Sequence, residues 1–199
     1  MLLFLDRLVL LVMLAAVAGV LTAAMVLQIG FGDVPCPLCL LQRVALFGCA
    51  FGLIRELRDA AAAGRTDRST HRSTHRGTGI ALGCAVLLLV IAARQTLLDI
   101  VPRPGHAYVG EAVLGLHMPV WSVVIAVALL TGMAARLALF GTPDAAPAGR
   151  DSLSRHWPLE SCARGLELYL VALCALNVIT VVLQCGLGAC HTEGYRLLR

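Results

Sequence analysis

Lysine is absent from this chain of 199 residues, and charged and aromatic side chains are scarce. All sixteen basic residues are arginines, charged residues make up 14% of the chain, and aromatic residues make up 5%. No basic patch interleaved with aromatic residues occurs, so the net charge of +4 does not indicate a nucleic-acid partner. With 59% apolar residues and a mean hydropathy of +0.84, the chain is predicted to be an integral membrane protein with membrane lipid around it.

Five apolar segments approach the length of about 20 residues that a helix needs to cross a bilayer. They lie at residues 8–29, 37–54, 79–101, 119–140 and 165–184. We therefore predict an all-α membrane protein. Residues 1–140 form a bundle of four transmembrane helices, residues 141–164 form a cytoplasmic linker, and residues 165–199 form a fifth helix and a cysteine-bearing tail.

Two glycine pairs in these segments have the spacing at which neighbouring helices approach closely. Gly48 and Gly52 lie in the second segment, and Gly79 and Gly83 lie at the start of the third. The alternative is the ordinary frequency of glycine in membrane helices.

The distribution of arginine predicts how the helices are oriented. Six arginines lie in the connection from Arg55 to Arg76, whereas the short link at residues 30–34 has none. Because cytoplasmic loops are enriched in basic residues, that connection and the N-terminus are predicted to be cytoplasmic. Five crossings then place Cys36 and the C-terminal tail together in the opposite, oxidising compartment.

Two cysteines lie where the first link meets the second apolar segment, in the sequence Cys36-Pro37-Leu38-Cys39. Pro37 favours the first turn of a helix, because its missing N–H needs no partner there and its φ is already helical. Unpaired N–H groups and the helix dipole at that position stabilise a thiolate. A dithiol at a lipid boundary predicts redox chemistry, in which disulfide formation passes two electrons to an acceptor dissolved in the membrane.

Arg43 follows Cys39 by four residues, so both side chains share one helix face with Cβ atoms about 6 Å apart. An arginine inside the bilayer costs roughly 2.5 kcal/mol or more, and such a charge usually has a partner. The candidates are the Cys39 thiolate and a carbonyl oxygen of a quinone. The alternative is an arginine that extends to the interface.

A second cysteine pair, Cys185 and Cys190, begins the tail, and two of the four residues between them are glycines. Such a segment permits a small loop to close, either as a second redox pair or as a structural disulfide. Zinc bound by Cys36, Cys39 and the tail pair is a weaker alternative, because the two halves are not the paired motifs of a zinc module. The main interpretation requires no metal. The other four cysteines are predicted to be core residues or reduced thiols.

Two stretches resemble the disulfide bond formation protein B family. Residues 36–43, CPLCLLQR, resemble that family's signature, and residues 115–121, GLHMPVW, resemble the stretch that enters its fourth helix. The resemblance covers about residues 8–140. It implies a quinone-dependent thiol oxidase of the bacterial inner membrane that reoxidises a periplasmic thioredoxin-fold oxidant and reduces ubiquinone or menaquinone. With the outside compartment identified as the periplasm, the arginine distribution and the fifth crossing predict a periplasmic tail.

The resemblance also implies roles for single residues. Cys39 would contact the quinone, Cys36 would exchange with a second cysteine pair, and Arg43 would belong to the quinone site. The remaining alternative is a non-catalytic membrane assembly or binding subunit with structural disulfides.

The chain departs from the family pattern in two places. Family members usually carry the second pair between the third and fourth helices, but residues 102–118 contain no cysteine. Either Cys185 and Cys190 replace that pair, or thiol exchange takes place directly on the first pair. Where family members often have a histidine beside the quinone, this chain has Gln95, next to Arg94. A glutamine can donate a hydrogen bond to a quinone oxygen, and Arg94 would add positive charge or anchor the helix at the interface.

Overall fold

The computed structural model describes residues 2–32, 35–63, 74–100, 115–140 and 157–186. That part of the chain holds five helices: α1 Leu2–Gly30, α2 Pro37–Ala63, α3 Thr74–Ile100, α4 Met118–Phe140 and α5 Trp157–Cys185. Each helix is long and apolar enough to cross a bilayer. The prediction of an all-α membrane protein with a fifth helix is confirmed. Most of the predicted linker and the tail beyond residue 186, with Cys190, lie outside the described residues.

Four of the five described helices extend beyond the boundaries predicted from hydropathy. α1 begins at Leu2 and not at residue 8, and α3 begins at Thr74 and not at residue 79. α2 continues to Ala63, and α5 begins at Trp157, so residues 157–164 are helical where a linker was predicted. Arginine, glutamate, leucine and alanine favour helix even where the chain is too polar for the bilayer. The extension of α2 contacts α5, since Arg58 Nε donates to Glu167 Oε2 at 3.2 Å.

Successive helices run in opposite directions, as contacts at the two ends of the bundle show. At one end, Asp6 near the start of α1, Glu56 near the end of α2 and Thr78 near the start of α3 meet Arg136 near the end of α4. We call this the Arg136 end. The opposite end, where α2 begins with the two cysteines, is called the thiol end.

Apolar side chains fill the inside of the bundle and cover its outside. The inner cluster contains side chains from all five helices, among them Leu14, Leu46, Leu88, Leu129 and Leu170. The outer surface of each helix carries exposed apolar side chains that would face lipid in a bilayer, such as Val12, Phe51, Val90, Leu139 and Val171.

α2 and α3 approach one another closely at glycine positions. A Cβ at Gly52 would lie 2.6 Å from the backbone nitrogen of Ala81, and one at Gly48 would lie 2.5 Å from Cys84 Sγ. The packing role predicted for this glycine pair is confirmed. The same prediction for Gly79 and Gly83 is wrong, because a Cβ at either position would meet no atom of the described residues within 4 Å.

The two rows of small residues on α3 lie on different sides of the helix. α3 turns a different row towards α2, in which Gly77 and Ala81 are spaced by the same four residues. Spacing alone does not distinguish two rows on opposite sides of one helix.

Replacing Gly52 with alanine is expected to lower the free energy of unfolding by about 1–3 kcal/mol, the usual cost of overpacking. The added Cβ would overlap backbone atoms of α3, which do not yield as the end of a flexible side chain does. Gly83→Ala is the matched control, because its Cβ would point into open space. Unfolding in mixed detergent micelles measures both variants. Equal stabilities would contradict this packing.

Candidate thiol site at one end of the bundle

Cys36 and Cys39 lie at the start of α2. The Cys39 backbone N–H donates to Cys36 Sγ at 3.2 Å, and the Leu40 N–H donates to the Cys36 carbonyl oxygen at 3.1 Å. Cys36 therefore occupies the N-cap of α2 and uses its sulfur as the capping acceptor. Both cysteines are half-buried free thiols.

The two thiols interact with one another. The hydrogen bond to the Cys39 side chain, followed by burial, raises the pKa of the Cys36 thiol above its ordinary value. These effects outweigh the backbone N–H groups that lower it. For Cys36, the stabilised thiolate expected from the start of a helix is thus not what the structure has.

Gln95, near the end of α3, faces the dithiol. Its Nε2 lies 3.5 Å from Cys36 Sγ and 3.6 Å from Cys39 Sγ, so one amide group donates towards both sulfurs. The sequence identified Gln95 as a hydrogen-bond donor to a quinone, whereas in the structure its N–H groups are directed at the thiols.

Two residues that sequence analysis missed form a chain of hydrogen bonds to the side-chain oxygen of Gln95. Gln42 Nε2 donates to Gln95 Oε1 at 2.9 Å, and Ser122 Oγ of α4 donates to Gln42 Oε1 at 2.8 Å. The available signal was a polar side chain next to Arg43 inside an apolar span. Polar groups in such spans usually have partners on another helix.

Arg43 is buried, with 8% of its surface exposed, and points towards α1. Its guanidinium group donates to Gln28 Oε1 and, through Nη2, to the Ala24 carbonyl oxygen at 3.1 Å. Gln28 is also buried and was not singled out from the sequence. A cation is thereby held between α1 and α2, one helical turn from Cys39.

Arg94 has a different environment from its neighbour Gln95. Its side chain is exposed, and no contact described in the structure joins it to the dithiol. Consecutive residues of a helix point about 100° apart, so Gln95 and Arg94 face different sides. A role for Arg94 at a quinone stays a prediction.

The end of α5 reaches the segment that leads into the dithiol. Gln184 is fully buried, and its Nε2 donates to the Pro35 carbonyl oxygen at 2.9 Å. The next residue, Cys185, is buried and disulfide-bonded. The other cysteines among the described residues are free. An oxidised Cys185 is not a thiolate ligand for zinc.

The four other cysteines are free thiols. Cys49 lies in the core, where its Sγ donates to the Ala81 carbonyl oxygen at 3.5 Å, and Cys84 packs against Gly48 at the same helix contact. Cys162 and Cys174 are exposed on α5.

The described chain has five helices able to span a membrane, a dithiol at the start of one of them and a buried arginine beside it. These features define a multi-pass membrane protein with paired thiols at one end of the bundle. A model of the disulfide bond formation protein DsbB family matches residues 6–107. A curated relative, disulfide bond formation protein B of Chromohalobacter salexigens, is 33% identical over 135 residues, which cover 64% of this chain and 69% of the relative. No solved structure matches the chain.

The chain therefore belongs to the disulfide bond formation protein DsbB family, and the resemblance seen in the sequence is confirmed. Family membership makes it a disulfide-bond-forming membrane protein. The matched residues contain Cys36, Cys39, Arg43 and Gln95. α4 and α5, with Ser122 and Gln184, lie beyond the match to the family model.

Proposed function

We propose that this protein reoxidises a periplasmic thioredoxin-fold thiol oxidant and passes the electrons to ubiquinone or menaquinone in the bacterial inner membrane. The observation that carries the proposal is the position of the dithiol. Cys36 and Cys39 lie at the start of α2, where the Gln95 amide nitrogen is directed at both sulfurs. The buried guanidinium group of Arg43 follows one helical turn after Cys39.

The arginine distribution supports a cytoplasmic N-terminus, which directs the thiol end to the periplasm. α1 ends and α2 begins at that end, so two crossings are separated there only by a short link. A soluble periplasmic partner would then approach Cys36 and the end of α5 from the same side.

Two thiol–disulfide exchanges balance the proposed reaction. A thiolate of the reduced partner attacks the disulfide of Cys185 and Cys190, the partner leaves as a disulfide, and both tail cysteines become thiols. Exchange with a Cys36–Cys39 disulfide restores the tail disulfide and leaves Cys36 and Cys39 as thiols. After that exchange Cys36 and Cys39 are free thiols and the tail pair is oxidised.

Closure of the Cys36–Cys39 disulfide then releases two electrons and two protons. A bound quinone supplies the acceptor for both. The donor set fits a quinone carbonyl, because Arg43 is a buried cation held in place by Gln28 and the Ala24 carbonyl oxygen. A fixed cation in a water-poor site stabilises negative charge that develops on the acceptor oxygen.

The contact between Gln184 and Pro35 supports a relay that starts at the tail. The residues that follow these two are Cys185 and Cys36, so the hydrogen bond brings the two redox segments to the same place. This arrangement would replace the missing pair between the third and fourth helices.

Quinone reduction by the purified protein, supplied with a reduced thioredoxin-fold oxidant, tests the proposal. We expect turnover in the wild type and its loss in both Cys36→Ala and the double variant Cys185→Ala, Cys190→Ala. Cys174→Ala is the matched control, since it removes an exposed free thiol of α5. Loss only with Cys36→Ala would leave an oxidase with one cysteine pair and a structural tail disulfide. An inactive wild type would favour a non-catalytic assembly or binding subunit.

A further inference from the structure

We propose that Ser122 and Gln42 are positioning residues, which fix the Gln95 amide so that its N–H groups, and not its oxygen, face the two sulfurs. The proposal rests on the proposed function of the Cys36–Cys39 pair. It concerns a chain of hydrogen bonds that joins α4, α2 and α3.

The direction of each bond follows from the one before it. An amide group has one donor end and one acceptor end. The Ser122 hydroxyl donates to Gln42 Oε1, so the Gln42 nitrogen faces Gln95 Oε1, and the Gln95 nitrogen is left to face the thiols. A single hydroxyl proton therefore sets the orientation of two amides.

A second acceptor competes for that proton. Ser122 Oγ lies 3.3 Å from the Met118 carbonyl oxygen, against 2.8 Å from Gln42 Oε1. If the proton went to Met118, both amides could turn over, and Gln95 would present its oxygen to the sulfurs. The shorter bond to Gln42 favours the arrangement in which Gln95 donates.

The orientation matters because of what the sulfurs can accept. A thiolate has lone pairs and no proton, so a donor stabilises it, whereas an amide oxygen would stabilise a protonated thiol instead. A donor held over the pair thus favours the reduced, ionised form over the disulfide. Stabilising the reduced form makes a dithiol more oxidising, which suits a pair that must draw electrons from another thiol oxidant.

Two measurements on the thiols alone test this inference. One is the pH profile of Cys39 alkylation in the reduced protein, followed by peptide mass spectrometry. The other is the equilibrium of the Cys36–Cys39 pair with glutathione. In Ser122→Ala we expect the alkylation profile to move to higher pH. The equilibrium constant for reduction should fall by about threefold to tenfold, the size of one hydrogen bond.

Gln42→Leu and Gln95→Leu are expected to act in the same direction, and Ser122→Thr, which keeps the hydroxyl, should restore both readouts. Thr131→Ala is the matched control, since the bonds of its hydroxyl in the described part of the chain stay within α4, to the carbonyl oxygens of Val127 and Ala128. If Ser122→Ala behaved like Thr131→Ala in both measurements, the positioning role would be overturned. Neither readout requires a quinone or a protein partner, so failure of the proposed oxidase activity is distinguished from failure of this inference.

Discussion

Arg136→Met is expected to lower the free energy of unfolding by about 3–5 kcal/mol, because it leaves two carboxylates inside the bundle without their cation. Arg136 Nε lies 2.6 Å from Asp6 Oδ1 and Nη2 lies 3.1 Å from Asp6 Oδ2, a two-bond pairing of planar groups. The same guanidinium reaches Glu56 Oε1 at 3.3 Å. Only 9% of the Arg136 side chain and 5% of the Glu56 side chain are exposed, so water replaces little of the lost interaction.

The control is Arg58→Met, which breaks the ion pair with Glu167. The Arg58 side chain is 68% exposed, so this change should cost less than about 1 kcal/mol. Unfolding in mixed detergent micelles compares the two variants. Adding Asp6→Asn and Glu56→Gln to Arg136→Met should recover part of the loss, because the buried charges are then removed together. Equal losses for Arg136→Met and Arg58→Met would contradict a buried charge cluster.

The cluster also explains how the Arg136 end is held together. Glu56 Oε2 accepts the Thr78 backbone N–H at 3.0 Å, and Arg136 Nη1 donates to the Thr78 hydroxyl at 3.4 Å. With Asp6, these contacts join the first four helices at one end. At the thiol end, the helices are joined instead by the hydrogen bonds around Cys36 and Cys39.

The sequence was sufficient to predict the five helices and the dithiol at the start of α2, because both depend on local properties. Twenty apolar residues in a row suit a bilayer, and proline after a cysteine suits a first helical turn. The starts of α1, α3 and α5 and the end of α2 were placed too far inside. The reason is that hydropathy measures the fit to lipid and not the propensity to form helix.

The contacts of a residue with other helices could not be predicted from the sequence, because they do not depend on local properties alone. The rotation of each helix about its axis decides whether Gly77 or Gly79 meets α2, and that rotation depends on the packing of the whole bundle. Likewise, nothing local to Ser122 indicates that its hydroxyl meets Gln42, 80 residues away in the chain. Arg43 could be recognised as a buried charge, but its partner Gln28 could not.

Arg43→Met is expected to raise the apparent KM for quinone by about 10-fold to 100-fold in the proposed reaction. A hydrogen bond to a charged group contributes about 1.5–3 kcal/mol, and about 1.4 kcal/mol corresponds to a factor of ten. The substitution also removes the donors to Gln28 and the Ala24 carbonyl oxygen, so some stability should be lost with it. Steady-state kinetics over a range of quinone concentrations, with thermal unfolding measured alongside, separates these two effects.

Two further variants decide whether the effect belongs to this guanidinium group. Arg94→Met removes an arginine of the same end whose side chain is exposed, and we expect its KM to stay close to that of the wild type. Arg43→Lys keeps the charge but not the planar group that reaches Gln28 and Ala24 together, so it should restore the KM only in part. A KM that rose with Arg94→Met and not with Arg43→Met would move the quinone to the outer face of α3. It would leave Arg43 as a link between α1 and α2.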